Sequence, residues 1–468
     1  MMKDLQLKAL DGGTTTVSGD KLSVLEAQFD GILLTPDDPT YGRHCEIWNG
    51  MIQRRPGLIA RCTDTQDVQS IVRFSKTHNL LTSVRGGGHN VAGYSLCDGG
   101  VAIDMSPMNR VDVDSEKKIS HVQGGATLGD MDRASQQHGL ATPVGAVSAT
   151  GIGGLALNGG YGFLSNLYGM TCDNILSAEI VTPEGEILEV NGTEHAELLW
   201  AIRGGGGNFG VVTRFDFRLY PVGPEVRVVF CLYDAADGLS IMRKWRDLNQ
   251  AAPDEIGTLL SLGTVPVSDQ FPEEIHGRDF VLVVAMYGGE QTQGAEEMKP
   301  WQELGPVLAD FSANMPYLEA QQLFDEDYPD GLRYYWKSQY TDTLDDHLME
   351  KLLKRSRVKP SVLSTIDIWC CRGAIARRDP NHGSFAYHEQ GWMVNVEANW
   401  ECEEDDHANM TWSRETLAEV PVTDGLRVYP NFPGLVEGGL EDARNAWGTN
   451  YLRLAVVKAE VDADNRFR

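Results

Sequence analysis

Arg85-Gly86-Gly87-Gly88-His89-Asn90 follows directly on an apolar run over residues 80–84. The run reads as a β-strand, and the three glycines read as a loop that needs positive φ or close backbone approach. Successive bare N–H groups in such a loop make a concavity that accepts anions. His89, at the mouth of the loop, is positioned to lie against a bound planar ring, and a neutral imidazole is a competent nucleophile. One loop of this kind is as often a plain turn as a ligand cradle, so its neighbours decide.

Glycine is abundant here, 50 of 468 residues against an average near ~7%, and it is clustered. Gly124-Gly125 ends an apolar run over 119–123, the densest cluster runs from Gly145 to Gly162, and Arg203-Gly-Gly-Gly-Gly-Asn-Phe-Gly210 leads into another run over 211–217. Four such loops, with almost no lysine in them, point to a large ligand held mainly by backbone. A pyrophosphate-linked dinucleotide fits that description. Gly151-Ile-Gly-Gly-Leu-Ala156 also satisfies the G-x-G-x-x-A pattern of an NAD fold. The stretch before it, residues 142–150, is broken by Pro143 and Gly145 and makes a poor first strand, so that match is weak.

Outward from the first loop the rhythm is strand-helix-strand. Residues 58–60 read as a strand, and Thr63 reads as a helix N-cap with Gln66 completing a capping box. Val68, Ile71, Val72 and Ser75 share one helical face, and Asn79 suits the cap at the far end. Strands are expected over 100–104, 119–123, 179–181 and 187–190, and a helix over 127–138 closed by Gly139. At residues 221–224 the glycine clusters stop, which sets a boundary between a domain of residues 1–224 and a second of residues 225–425. The second alternates strand-like runs at 226–233, 280–287 and 392–399 with acidic helical stretches, the pattern of an α+β domain with an antiparallel sheet covered by helices. Residues 426–468 are expected to return to the first domain, with Leu452, Ala455, Val456 and Ala459 at i, i+3, i+4, i+7 facing inward.

Forty Lys and Arg stand against 67 Asp and Glu, a formal net charge of −27. A surface so anionic repels phosphate backbones and acidic headgroups, so neither nucleic acid nor a membrane is expected as a partner. No apolar stretch approaches the roughly 18 residues of a membrane span. The opening Met1-Met2-Lys3-Asp4 lacks the apolar core of a leader, and a cytoplasmic location is expected. The eight cysteines form no C-x-x-C pair, so no disulfide framework or metal site is expected.

Five segments together resemble the berberine-bridge-enzyme-like FAD-linked oxidases, of the p-cresol methylhydroxylase/vanillyl-alcohol oxidase fold. They are the stretches 85–93, 98–104, 150–162, 168–174 and 203–212. The carboxyl end agrees through Tyr429-Pro-Asn-Phe432 and Trp447-Gly-Thr-Asn-Tyr-Leu-Arg453. The resemblance implies a two-part FAD-binding domain and a flavin bonded through its 8α carbon to His89. It also implies a cofactor site built from Arg85, Gly86, Gly87, Gly88, Asn90, Gly124, Gly125, Thr150, Gly151, Gly153, Gly154, Asn158, Gly159, Gly162, Val212 and Asn431. Many relatives add a second, cysteinyl tether. Val147 stands where that cysteine aligns, which implies a single histidyl link. The chain stops at Arg468, where relatives usually continue, and this implies a looser hold on the cofactor.

The chemistry the resemblance implies is oxidation of a C–H next to oxygen or nitrogen in a small-molecule substrate, with O2 taking the electrons. Tyr429, in the Tyr-x-Asn-Phe motif, and Tyr387 are the candidate catalytic tyrosines. A tyrosine base needs its pKa of ~10 lowered by a cation or by hydrogen bonds to the phenolate. Tyr334, Tyr335, Trp336, Trp369, Trp392 and Trp400 suit a substrate cleft or, equally, a core. Two other readings stay open: a non-covalent flavin dehydrogenase or reductase of the same fold, and a flavin-binding protein without turnover.

Overall fold

The strand-helix-strand rhythm around residue 60 becomes a four-stranded sheet in the order Ile32–Leu34, Leu58–Arg61, Val101–Asp104, Thr82–Arg85. Its last three strands are parallel, and the first runs against them. The structure is a computed structural model that describes residues 2–388, 391–422, 427–435 and 439–468. The helix Thr65–Thr77 crosses between parallel strands and buries Val68, Ile71, Val72 and Ser75, the face its periodicity selects. Its cap is Asp64, whose carboxylate accepts from the Asp67 N–H, while Thr63 donates its hydroxyl to Asp67. Carboxylate at the first turn also suits the positive end of the helix, which is why Asp64 displaces Thr63 from the cap. Asn79 takes φ +50°, the left-handed turn that ends the helix.

A second sheet of five antiparallel strands follows, in the order Ile187–Val190, Ile175–Val181, Val211–Arg218, Ile119–Gln123, Val111–Asp114. The helix Leu128–Gln136 flanks it behind a complete capping box of Thr127 and Asp130.

From residue 225 the chain builds one large antiparallel sheet. Its order is Val307–Asp310, Glu225–Asp234, Asp279–Tyr287, Ile256–Thr264, Thr365–Cys371, Gly391–Trp400, Arg333–Thr341, and Ala313–Pro316 also pairs with the second of these. The two-residue period of its strands sorts side chains to opposite faces. Val229, Cys231, Tyr233, Val281, Val283 and Ala285 pack under the helices Gly238–Ala251, Gln291–Gln302, Asp346–Ser356 and Asp406–Leu417. Val228, Leu232, Leu259, Val284, Trp369 and Met393 point the other way, into a core shared with the glycine loops. The same alternation divides the aromatic residues. Tyr335, Trp392 and Trp400 fill the helix-side core, whereas Trp336 and Trp369 reach a cavity.

The expected boundary at residue 425 lies outside the described residues. Beyond it, the helix Tyr451–Val461 packs on Ala196–Ile202, but not by the face its spacing suggests. Leu454 and Val457 are buried, while Leu452 and Val456 are 76% and 58% exposed. Apolar residues occur on both stripes of this helix, so its periodicity alone does not select the face. No helix among the described residues is long and apolar enough to cross a membrane.

Candidate active site

The carboxyl end of the parallel strand Thr82–Arg85 opens into a cavity of about 940 Å³. That is at the upper end of the range for small-molecule and cofactor sites, ~300–1,000 Å³. One wall is the loop 86–90, a second comes from residues between 145 and 158, and a third from residues 205–212. Leu259, Asp367, Trp369, Met393 and Glu397 of the large sheet form the floor.

Two of the glycine loops touch backbone to backbone. A Cβ on Gly87 falls 2.4 Å from Gly151 N, and one on Gly151 falls 2.3 Å from Gly87 N. Neither position admits a side chain, so this stretch of wall is bare backbone. Ser83 and Ser95 also line the cavity, and their hydroxyls are buried without a protein partner. Buried hydroxyls are normally paired, so these two suit the polar groups of a ligand. Backbone cradle and orphaned hydroxyls together fit a dinucleotide.

Gly86, Gly87, Gly88, His89, Asn90, Gly124, Val147, Thr150, Gly151, Gly153, Gly154, Asn158, Val212, Tyr429 and Asn431 all line this cavity. Five expected residues stand behind the wall instead. The Arg85 side chain turns away, donating from Nη1 to the His44 carbonyl at 2.9 Å. Gly125 and Gly162 are glycine because other backbone passes close behind them. A Cβ would lie 1.7 Å from Met105 O in the first case and 1.9 Å from Val144 O in the second. Gly159 packs against the Phe385 ring. Tyr387 donates to the Asn445 carbonyl and packs on Tyr340 at a ring separation of 5.5 Å, so its hydroxyl is held away from the cavity. Val147 is in the wall, and among the described residues no cysteine lines the cavity.

His89 is held by stacking on Trp48, with ring centroids 5.2 Å apart and planes 13° apart. Its Nδ1 lies 3.5 Å from Thr150 Oγ1. Removal from water lowers its pKa to about 4, so the imidazole is neutral at physiological pH. Tyr429 is buried, and its hydroxyl oxygen accepts from the Gly160 N–H and from Asn431 Nδ2, each at 3.0 Å. Those two bonds favour the phenolate, yet burial outweighs them and raises the pKa above the usual tyrosine value. Among the described residues no cation offsets that burial, so the structure does not give Tyr429 the lowered pKa a base requires.

The floor carries a feature absent from the sequence reading, the buried carboxyls of Asp367 and Glu397. Asp367 pairs in register with Asn395, which puts Glu397 two residues along the neighbouring strand on the same face. Ser261 donates its hydroxyl to Asp367 at 2.6 Å, and Tyr328 donates to Glu397 at 2.8 Å. Burial pushes the Asp367 pKa up to about 6. Burial and then the charge of Asp367 push Glu397 well above the carboxylate range. Trp336 lies directly across from Glu397 in register and stands edge-on to Trp48 at 4.9 Å, so an aromatic cluster joins His89 to the acid pair. A polar residue at alternate positions of an apolar strand, as in Ile366-Asp-Ile and Val394-Asn-Val-Glu, is the signal that marks them.

Comparison with known proteins agrees with this geometry. Residues 56–191 match the FAD binding domain family and residues 428–468 the family described as berberine and berberine like. An FAD-linked oxidoreductase of Dictyostelium discoideum is 31% identical over 448 residues, covering 94% of this chain and 93% of its own. The crystal structure of 6-hydroxy-D-nicotine oxidase from Arthrobacter nicotinovorans superposes with a TM-score of 0.83 at 27% identity, covering 94% of this chain and 97% of that one. Glucooligosaccharide oxidase from Acremonium strictum, studied for its 6-S-cysteinyl, 8α-N1-histidyl FAD, shares the fold with a TM-score of 0.83 at 20% identity, covering 95% and 97%. With matches at both ends of the chain and a relative aligned along nearly all of it, the chain belongs to the berberine-bridge-enzyme-like FAD-linked oxidases, with the α+β fold of the p-cresol methylhydroxylase type.

Proposed function

We propose that this oxidase holds its FAD covalently through His89 alone and oxidises a C–H bond next to nitrogen or oxygen in a small molecule, with O2 as the electron acceptor. The observation that carries this reading is His89, a neutral imidazole facing a backbone-lined cavity and held in plane by Trp48. When bound, the FAD would supply the redox chemistry, a two-electron oxidation of the substrate carbon with O2 reduced to H2O2.

In this reading residues 1–224 and 426–468 hold the cofactor, and residues 225–425 supply the substrate side. The glycine loops bind through backbone N–H groups, with Ser83 and Ser95 adding hydroxyls. Val147 leaves no second tether. Glu397 receives the substrate's proton, since a carboxylate with raised proton affinity is a stronger base than an ordinary one. Tyr328 steadies the negative charge on Glu397 whenever it is ionised. Tyr429 keeps its proton and orients the substrate, fixed in place by Gly160 and Asn431.

Anaerobic mixing of the yellow protein with a panel of amines, alcohols and sugars tests the reading. At least one class is expected to bleach the flavin bands, and admitted O2 to restore them with one H2O2 formed per substrate. A bound flavin that no class reduces would overturn the catalytic reading. Reduction without recovery in O2 would make the protein a dehydrogenase.

A further inference from the structure

Asp367 and Glu397 sit on one face of the large sheet, both buried and both lining the cavity. Among the described residues no lysine or arginine forms an ion pair with either of them. Asp327, an exposed acid nearby, adds negative charge to the same region. Lys337 also lines the cavity, but it pairs in register with Val396, on the alternate face, and its ammonium sits over the Tyr335 ring and makes no ion pair with either acid. A buried carboxylate without a counter-charge is costly, so each acid holds its proton until a positive charge arrives, and two of them in a cavity floor favour a cationic ligand over a neutral one.

A second observation points the same way. Asn395 lies between Met393 and Glu397 on that face, opposite Asp367, with 0% exposure. Neither its amide oxygen nor its amide nitrogen has a partner. The surrounding rings are of the kind that attract cations. Trp336 stands edge-on to Tyr328 at 5.1 Å and to Phe432 at 5.0 Å, and Trp369 lies two residues from Asp367 on the same strand and face. The acids are not arranged for a metal, since no group of three metal-ligating side chains occurs among the described residues. A neutral sugar would satisfy hydroxyl and amide groups but would leave the acid pair without its counter-charge.

We propose that the substrate is an amine that enters as its ammonium ion, seated between Asp367 and Glu397 inside a ring of Tyr328, Trp336 and Trp369. This rests on the oxidase reading given above. The aromatic side chains cover its apolar flank, and Asn395, just behind the floor, keeps an unpaired amide dipole beside the acid pair.

The test is equilibrium binding to the flavin-loaded protein, read by tryptophan fluorescence and by the flavin absorbance bands. The probe is benzyltrimethylammonium, whose nitrogen has no lone pair and which is therefore not turned over. Its neutral isostere neopentylbenzene and the sugar cellobiose run in parallel. Saturable binding of the cation alone is expected, weakened at least tenfold by Glu397→Gln and by Asp367→Asn. Binding of cellobiose in preference to the cation, or a cation affinity untouched by both substitutions, overturns the proposal. If either variant fails to fold, preference for the cation over its neutral isostere in the parent protein decides alone. Flavin content is measured on the same samples. Full flavin without cation binding removes this inference and leaves the oxidase reading intact. A protein without flavin removes the oxidase reading, while tryptophan fluorescence still reports on the cation seat.

Discussion

The hydroxyl of Tyr328 donates a 2.8 Å hydrogen bond to Glu397 Oε2, joining the segment before the strand Arg333–Thr341 to a carboxyl in the middle of Gly391–Trp400. The bond favours the ionised acid, against burial and against the charge of Asp367. Tyr328→Phe removes that donor and leaves the ring in place. The acidic limb of the pH profile for flavin reduction by substrate is expected to move up by ~1 unit, with flavin content unchanged. An unmoved limb would mean that Glu397 is not the proton acceptor.

Asp132 offers a stability test away from the site. It is buried on the helix Leu128–Gln136 with the Gln321 amide 3.4 Å away, and burial raises its pKa to about 7. The folded protein therefore holds this proton far more tightly than the unfolded chain does. The stabilising contribution is complete below an unfolded value of ~4 and is lost as pH rises through 7. Asp132→Asn is expected to flatten that fall and to be more stable than the parent at pH 8 by as much as ~4 kcal/mol, three pKa units at 1.36 kcal/mol each. Thermal unfolding at pH 5 and pH 8 measures it. Equal differences at the two pH values would contradict the assignment.

Gly87→Ala probes the contact between the two glycine loops. Its methyl would meet Gly151 N, a backbone atom that cannot swing aside. A loss of about 1–3 kcal/mol in stability and of most bound flavin is expected. Retention of flavin at parental levels would show that the loops tolerate separation.

Much of the glycine-lined wall of the cavity was legible in the sequence because its geometry depends on residue type. Glycine where backbones touch, as at Gly87 and Gly151, and histidine at the loop mouth leave a mark whatever the surroundings. Gly125 and Gly162 carry the same mark for a different reason, close packing against Met105 and Val144, and type alone does not separate the two cases. Tyr387 fails similarly, since a tyrosine held by the Asn445 carbonyl looks in sequence like one facing substrate. The acid pair in the cavity floor was hidden because Asp367 and Glu397 become neighbours only through the pairing of Thr365–Cys371 with Gly391–Trp400, a register no local pattern specifies. On Tyr451–Val461 apolar residues occupy two stripes, and tertiary contact with Ala196–Ile202 chose Leu454 and Val457.

Retention of flavin after acid precipitation tests the central claim most directly. The purified protein is precipitated, and the visible spectrum of the redissolved pellet is compared with that of the supernatant, for the parent and for His89→Ala. Flavin in the parent's pellet and only in the variant's supernatant is the predicted result. Flavin released from the parent, or still bound to the pellet of His89→Ala, would contradict attachment through His89.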